Sequence, residues 1–237
     1  MGVMNVGVLS LHRTSIGKKV IMAVTGLIGV GFVVFHMYGN LKVFGFLGGG
    51  PEYFNEYSEG LRALGEPIFG HTHLLWIARL VLLAAVVLHV WAAWSLYRES
   101  AQARPIHYSK HTKIRADPAA LYIRIGGVII LIFLIFHLMH FTWGVPGIHP
   151  DFSQTDVYHN LVAGFRSYGY LPAIFYLVAM GALGFHLYHG VWSMFQTLGL
   201  NNKTYTGLLR LLAWLVAIVV TAGFSIVPLA VIVGIVA

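Results

Sequence analysis

The 237-residue sequence predicts an all-α membrane protein, a single domain of five transmembrane helices. Three observations predict it. Hydrophobic residues make up 58% of the chain and charged residues 10%, with a mean hydropathy of +0.76, whereas a soluble domain carries about 25% charged residues. Five apolar runs each reach the roughly 20 residues that cross a hydrocarbon core of about 30 Å. Four of those runs carry an interior histidine: His36, His89, His137 and His186. An ionisable side chain inside a membrane helix is costly and by default marks a function.

The elements follow in order. Residues 1–17 are short and amphiphilic, with His12, Arg13, Lys18 and Lys19 leading into the first apolar run. This is not expected to be a signal peptide. The run after Lys19 exceeds an h-region of about 7–15 residues, and no small-residue cleavage site follows it. The first span is 20–41, with His36 late and Gly29 and Gly39 on the same face. Small residues there permit close approach of a neighbouring helix or a flat ligand. The connection 42–73 holds Gly48-Gly49-Gly50-Pro51 and then Glu52, Glu56 and Glu59 at helical spacing, which predicts a short surface helix. The second span, 74–97, has Arg79 early and His89 late, with Ala85, Ala92 and Ala93 beside the imidazole. A basic stretch, 98–119, leads to the third span, 120–143, with Arg124 early and His137 and His140 late. Residues 144–169 form a second long loop. The fourth span is 170–198. After the turn Asn201-Asn202-Lys203 comes the fifth span, 208–236, which lacks histidine, carries Pro228 and is expected to be peripheral.

Absent cysteine excludes thiolate-held iron–sulfur clusters and the C-x-x-C-H haem attachment on this chain. The formal charge of +7 fits charge sorting across a membrane and predicts no nucleic-acid partner. The N-terminus and the 2–3 and 4–5 connections are basic, while the two long loops carry only Lys42, Arg62 and Arg166. The positive-inside rule therefore predicts a cytoplasmic N-terminus and an outside C-terminus.

Helix rise converts position to depth. His36 and His137 lie roughly 26 Å from the inner surface at about 1.5 Å per residue, and His89 and His186 roughly 22 Å from the outer one. Two layers result, the outer with His36 and His137, the inner with His89 and His186. Each layer draws one histidine from each of two helices, as six-coordinate haem iron requires. A single buried histidine is often merely hydrogen-bonded to a neighbouring helix, but four at two matched depths are harder to explain that way. Zinc or copper favours compact clusters. By spacing alone His140 could replace His137 and His189 could replace His186. Otherwise these two are expected to hydrogen-bond a propionate or a carbonyl. The remaining histidines, His12, His71, His73, His107, His111, His149 and His159, are expected at the surface. Arg79 and Arg124 either snorkel to headgroups or pair with haem propionates.

Several segments resemble one family. They are Ser15-Ile16-Gly17-Lys18-Lys19 with Met22-Ala23-Val24-Thr25-Gly26; His36-Met37-Tyr38-Gly39-Asn40-Leu41; Leu88-His89-Val90; Ile132 to His137; and Phe185-His186-Leu187-Tyr188-His189-Gly190-Val191-Trp192-Ser193. Over residues 12–235 the chain resembles the single-chain, five-helix, di-haem cytochrome b anchor of succinate dehydrogenases and fumarate reductases. The resemblance implies two haem b groups, ligated by His36 with His137 and by His89 with His186, within a bundle of the first four helices. It implies a flavoprotein and an iron–sulfur partner subunit on the cytoplasmic side of a bacterial membrane, with the dicarboxylate chemistry on those partners and no catalytic residue here. A quinone, expected to be menaquinone, is the membrane substrate, and a higher oligomer is allowed. Glu56 or Glu59 is a candidate proton group for a quinone near the outer haem, and Ser15 and Lys18 are candidates for an inner quinone pocket. The competing expectations are a di-haem cytochrome subunit of formate dehydrogenase or hydrogenase type, and a colourless channel with a histidine proton relay.

Overall fold

The computed structural model describes residues 12–103 and 118–237, and among these residues every regular element is helical. Helix α1, Ser15–Leu41, begins at a Thr14 cap whose hydroxyl accepts the Gly17 N–H at 3.0 Å. That cap places Lys18 and Lys19 inside the helix, five residues earlier than the apolar run suggests. The short helix foreseen in the first long loop is α2, Pro51–Arg62, which starts with proline at its first position and buries Phe54. Helix α3, His73–Gln102, outlasts its apolar run by five residues, because polar helix formers continue the hydrogen-bond ladder beyond the hydropathy signal.

Helix α4, Pro118–His137, continues into a π-helical turn, Leu138–Thr142, closed by the Trp143 N–H on the Leu138 carbonyl at 2.9 Å. Helix α5, Val157–Thr197, is two helices in one. It breaks at Ser167 to Tyr170, where Tyr168, Gly169 and Tyr170 all take positive φ. The second long loop is thus partly helical. Asp156 caps its outer segment by accepting the His159 N–H at 2.8 Å, a start signal that the apolar pattern does not carry. The membrane-spanning part begins past the break, close to the expected residue 170. Pro172 falls in its first turn, where a missing N–H costs little. Helix α6, Thr206–Ile232, ends four residues sooner than expected. Gly234 in left-handed conformation closes it, with Ile235 N–H on the Ala230 carbonyl at 2.9 Å.

The helices pack in the order α3–α1–α5–α4, and α6 lies against α1 and α5 outside that row. Ala85 and Ala92, two turns apart on α3, are buried, which lets α1 pack closely. Between α3 and α4 an apolar cleft of ≈ 350 Å³ opens, lined by Val86, Val90, Trp91, Trp94 and Leu131 among others. Five helices, α1, α3, α4 with its π turn, α5 and α6, are long and apolar enough to cross a membrane. Leu80, Leu83, Ile125, Ile132 and Leu171 are exposed, the surface that lipid covers in a multi-pass protein.

Candidate functional site

His36 and His137 meet across α1 and α4, with ring centres 5.8 Å apart and planes at 79°. His89 and His186 meet across α3 and α5, at 6.1 Å and 57°. The sequence pairing is thus the spatial pairing. On α1, Thr25 touches His89, and His36 lies eleven residues further on. On α4, Gly127 faces His186, and His137 lies ten residues further on. Both intervals separate the two pairs by roughly 15 Å along the bundle at about 1.5 Å per residue.

Each pair has a hydroxyl beside it. At the inner pair Thr25 Oγ1 lies 3.1 Å from His89 Nδ1 and 2.7 Å from the Ile21 carbonyl. The hydroxyl proton goes to the carbonyl, so Oγ1 accepts from His89 Nδ1–H and Nε2 keeps its lone pair. At the outer pair Tyr176 Oη lies 3.0 Å from His137 Nδ1 and 3.3 Å from His140 Nδ1. His186 Nδ1 is buried and without a hydrogen-bond partner.

Glycines seat the inner rings. A Cβ on Gly26 would stand 3.5 Å from His89 Cε1, and one on Gly127 would stand 3.9 Å from His186 Cε1. The glycines expected beside His36 behave otherwise. A Cβ on Gly39 would stand 3.0 Å from the Tyr57 ring, and one on Gly29 would meet nothing within 4 Å. His36 stacks instead on Phe32 at 5.2 Å, with Phe224 at 5.7 Å.

Comparison with family models, with curated proteins and with solved structures finds no match to this chain. The site is therefore read from its own chemistry. Two imidazoles on opposite sides of one first-row metal ion, each at about 2.0–2.1 Å, hold their ring centres about 6 Å apart. Both pairs have that spacing. Among the described residues no cluster of three or more histidine, cysteine or acidic side chains is arranged for a metal ion. The apolar cleft between α3 and α4 is lined by none of the four paired histidines. Each pair thus opposes two imidazoles between apolar helices, with glycines behind the inner rings only, and opposed imidazole nitrogens are the donor set a b-type haem would need.

The remaining candidates are dispersed. The Arg79 guanidinium lies over Trp76 at 4.9 Å, and that of Arg124 over Tyr97 at 4.7 Å. Both arginines are exposed, the placement expected of snorkelling side chains. Glu56 is exposed on α2, and Glu59 pairs with Arg62 at 2.8 Å. Ser15 donates to Glu99 at 2.8 Å, and Lys18 forms an ion pair with the same carboxylate, so the α1 start and the α3 end share one polar knot. His107 and His111 lie outside the described residues.

His149 overturns the expectation of a surface residue. It is 2% exposed, donates Nε2–H to the Asn160 carbonyl at 2.8 Å, and lies 5.2 Å from the His140 ring. Burial follows because the outer segment of α5 folds back over the 144–156 loop, a tertiary contact without local periodicity. Tyr176 was also missed. It lies on α5 thirty-nine residues from His137, and nothing in its own segment marks it.

Proposed function

We propose that this chain is the di-haem cytochrome b anchor of a bacterial succinate:quinone oxidoreductase, working with flavoprotein and iron–sulfur subunits and with menaquinone. The observation that carries the reading is the pairing of four membrane histidines, two by two, at two levels. The segments around His36, His89, His137 and His186 that resemble this family's anchor support the choice of complex. Each pair draws its two rings from two different helices, which disfavours the formate dehydrogenase and hydrogenase type, which often places two ligands on one helix.

When bound, haem b supplies reversible one-electron chemistry at its iron. The chain's own contribution is to hold and insulate. His36 with His137, and His89 with His186, would hold the iron of the outer and inner groups through ring nitrogens. Thr25 fixes the His89 ring through its Nδ1, and the apolar helix faces exclude water. Ser15, Lys18 and Glu99 present a polar knot near the cytoplasmic surface under the proposed orientation, which suits a quinone carbonyl or a partner subunit. Arg79 and Arg124 stand toward the outer and inner ends, where propionates would emerge.

The test is a reduced-minus-oxidised spectrum of purified protein with haem counted per chain. Two b-type haems are expected, together with copurifying flavoprotein. His36→Ala and His137→Ala should each remove one haem, and His89→Ala and His186→Ala the other. A colourless wild-type protein, or loss of a common haem from His36→Ala and His89→Ala, overturns the reading.

A further inference from the structure

Tyr176 has one phenolic proton and two histidine neighbours. Its hydroxyl lies within hydrogen-bonding distance of Nδ1 of both His137 and His140. The ring is buried among Phe133, Phe136, Phe141 and Phe165, so a competing water has little access. A phenol donates once and accepts with its lone pairs. If Tyr176 donates to His140, it can accept only from His137, whose proton is then on Nδ1 and whose Nε2 carries the free lone pair. If it donates to His137 instead, the neutral His137 ring carries its proton on Nε2 and that nitrogen cannot bind a metal. The direction of one hydroxyl decides which nitrogen His137 presents.

The inner pair solves the same problem differently. There the Thr25 proton is committed to the Ile21 carbonyl of its own helix, so His89 Nδ1–H has an acceptor and Nε2 is free. A buried tyrosine has no carbonyl of that kind within its own turn. His140 occupies the equivalent place: wholly buried, with Nδ1 turned to the phenol and Nε2, which has no hydrogen-bond partner, 2.9 Å from where a Cβ on Gly164 would stand. The π-helical turn that begins at Leu138 carries it, and such turns are frequent at functional positions.

We propose that His140 is the positioning residue of the outer pair: it takes the Tyr176 hydroxyl proton, which makes His137 donate Nδ1–H to Tyr176 and present Nε2 across the bundle to His36. The proposal rests on the reading of His36 and His137 as axial ligands. It assigns His140 a role other than ligand or propionate partner. The two sites thereby differ in kind, because a backbone carbonyl orients the inner hydroxyl and a second histidine orients the outer one.

The experiment uses the full-length protein purified in detergent with its partner subunits. Haem per chain, haem retention on dilution and the midpoint potentials of both haems are measured for wild type, Tyr176→Phe, His140→Leu, His140→Gln and Thr25→Val. Loss of an outer-shell hydrogen bond to a metal-bound histidine weakens retention about 10-fold or more. Tyr176→Phe and His140→Leu should weaken outer haem retention on that scale and shift only the outer potential, with the inner haem as internal control of folding. His140→Gln keeps an acceptor oxygen and should restore the wild-type outer values. Thr25→Val should move only the inner haem. Outer retention and potential unchanged in His140→Leu would show that His140 merely fills space. An outer haem lost in His140→Leu but kept in His137→Ala would make His140 the ligand and overturn the proposal. Wild-type protein without haem would instead sink the functional reading on which this one stands.

Discussion

Two glycines, Gly26 and Gly164, control how closely rings of the bundle approach their neighbours. Gly26 leaves room for a methyl group beside His89, since an added Cβ stands at ordinary contact distance, but it leaves none for a branched chain. Gly26→Ala should keep both haems, whereas Gly26→Leu should displace the His89 ring and remove the inner haem alone, as counted by spectrum. Gly164 is stricter. A Cβ there would stand 2.8 Å from His149 Nε2, 2.9 Å from His140 Nε2 and 2.9 Å from Phe141 Cε1. The two buried imidazoles and the partly buried Phe141 ring cannot all retreat, so Gly164→Ala should destabilise the protein by about 1–3 kcal/mol, read as a lowered thermal midpoint in detergent. A glycine in mid-helix is otherwise a weak signal in the sequence. Only the rings packed on it from distant segments show why alanine does not serve.

At the scale of elements, the outer end is tied by one asparagine. Asn55 of α2 donates to Asp156 at 3.0 Å and accepts the Tyr158 N–H at 3.0 Å, which fastens α2 to the start of α5. The His159 backbone N–H, and next the Asn55 amide, hold the Asp156 carboxyl below its ordinary value of 3.8. A carboxyl with a lowered value in the folded state stabilises above the unfolded value and loses that contribution as pH falls through the folded one. Asp156→Ala should therefore cost about 1 kcal/mol at neutral pH, and the gap between variant and wild type should narrow as pH falls below 3.8. Thermal melts in detergent across that range check it; a gap that stays constant into acid would show that the carboxylate charge is irrelevant. The break at Ser167 to Tyr170 belongs to the same scale. Two tyrosines in left-handed backbone are costly, and Tyr168 is held there by donating its hydroxyl to the Gly147 carbonyl at 2.7 Å.

The whole molecule is a multi-pass membrane protein in which α1 and α5 are the central helices and α3 and α4 stand apart across the apolar cleft. Its proposed orientation is testable without any cofactor. Reporter fusions active only outside the cell should be active after residue 150 and after Ala237, and inactive in the 200–204 turn, because the basic connections are retained inside. An active fusion at 200–204 would invert the topology and exchange the inner and outer assignments. The knot of Ser15, Lys18 and Glu99 ties the ends of α1 and α3 on what would be the cytoplasmic side.

Hydropathy and helical period were enough to read five spans, one late histidine in each of the first four, and the two depths at which those histidines lie. These are local properties, since each depends on about twenty consecutive residues and a fixed rise per residue. Helix ends were less legible. Caps at Thr14 and Asp156 and the Gly234 stop act through single polar groups that an apolar pattern does not register. Tertiary structure alone decided that Tyr176 bridges His137 and His140, that His149 is buried, that Gly26 and Gly127 back the inner rings while Gly29 backs no ring, and that Ser15 and Lys18 share Glu99. Each of those facts joins segments between 11 and 84 residues apart, and no local periodicity encodes which distant side chain fills the space beside a given ring.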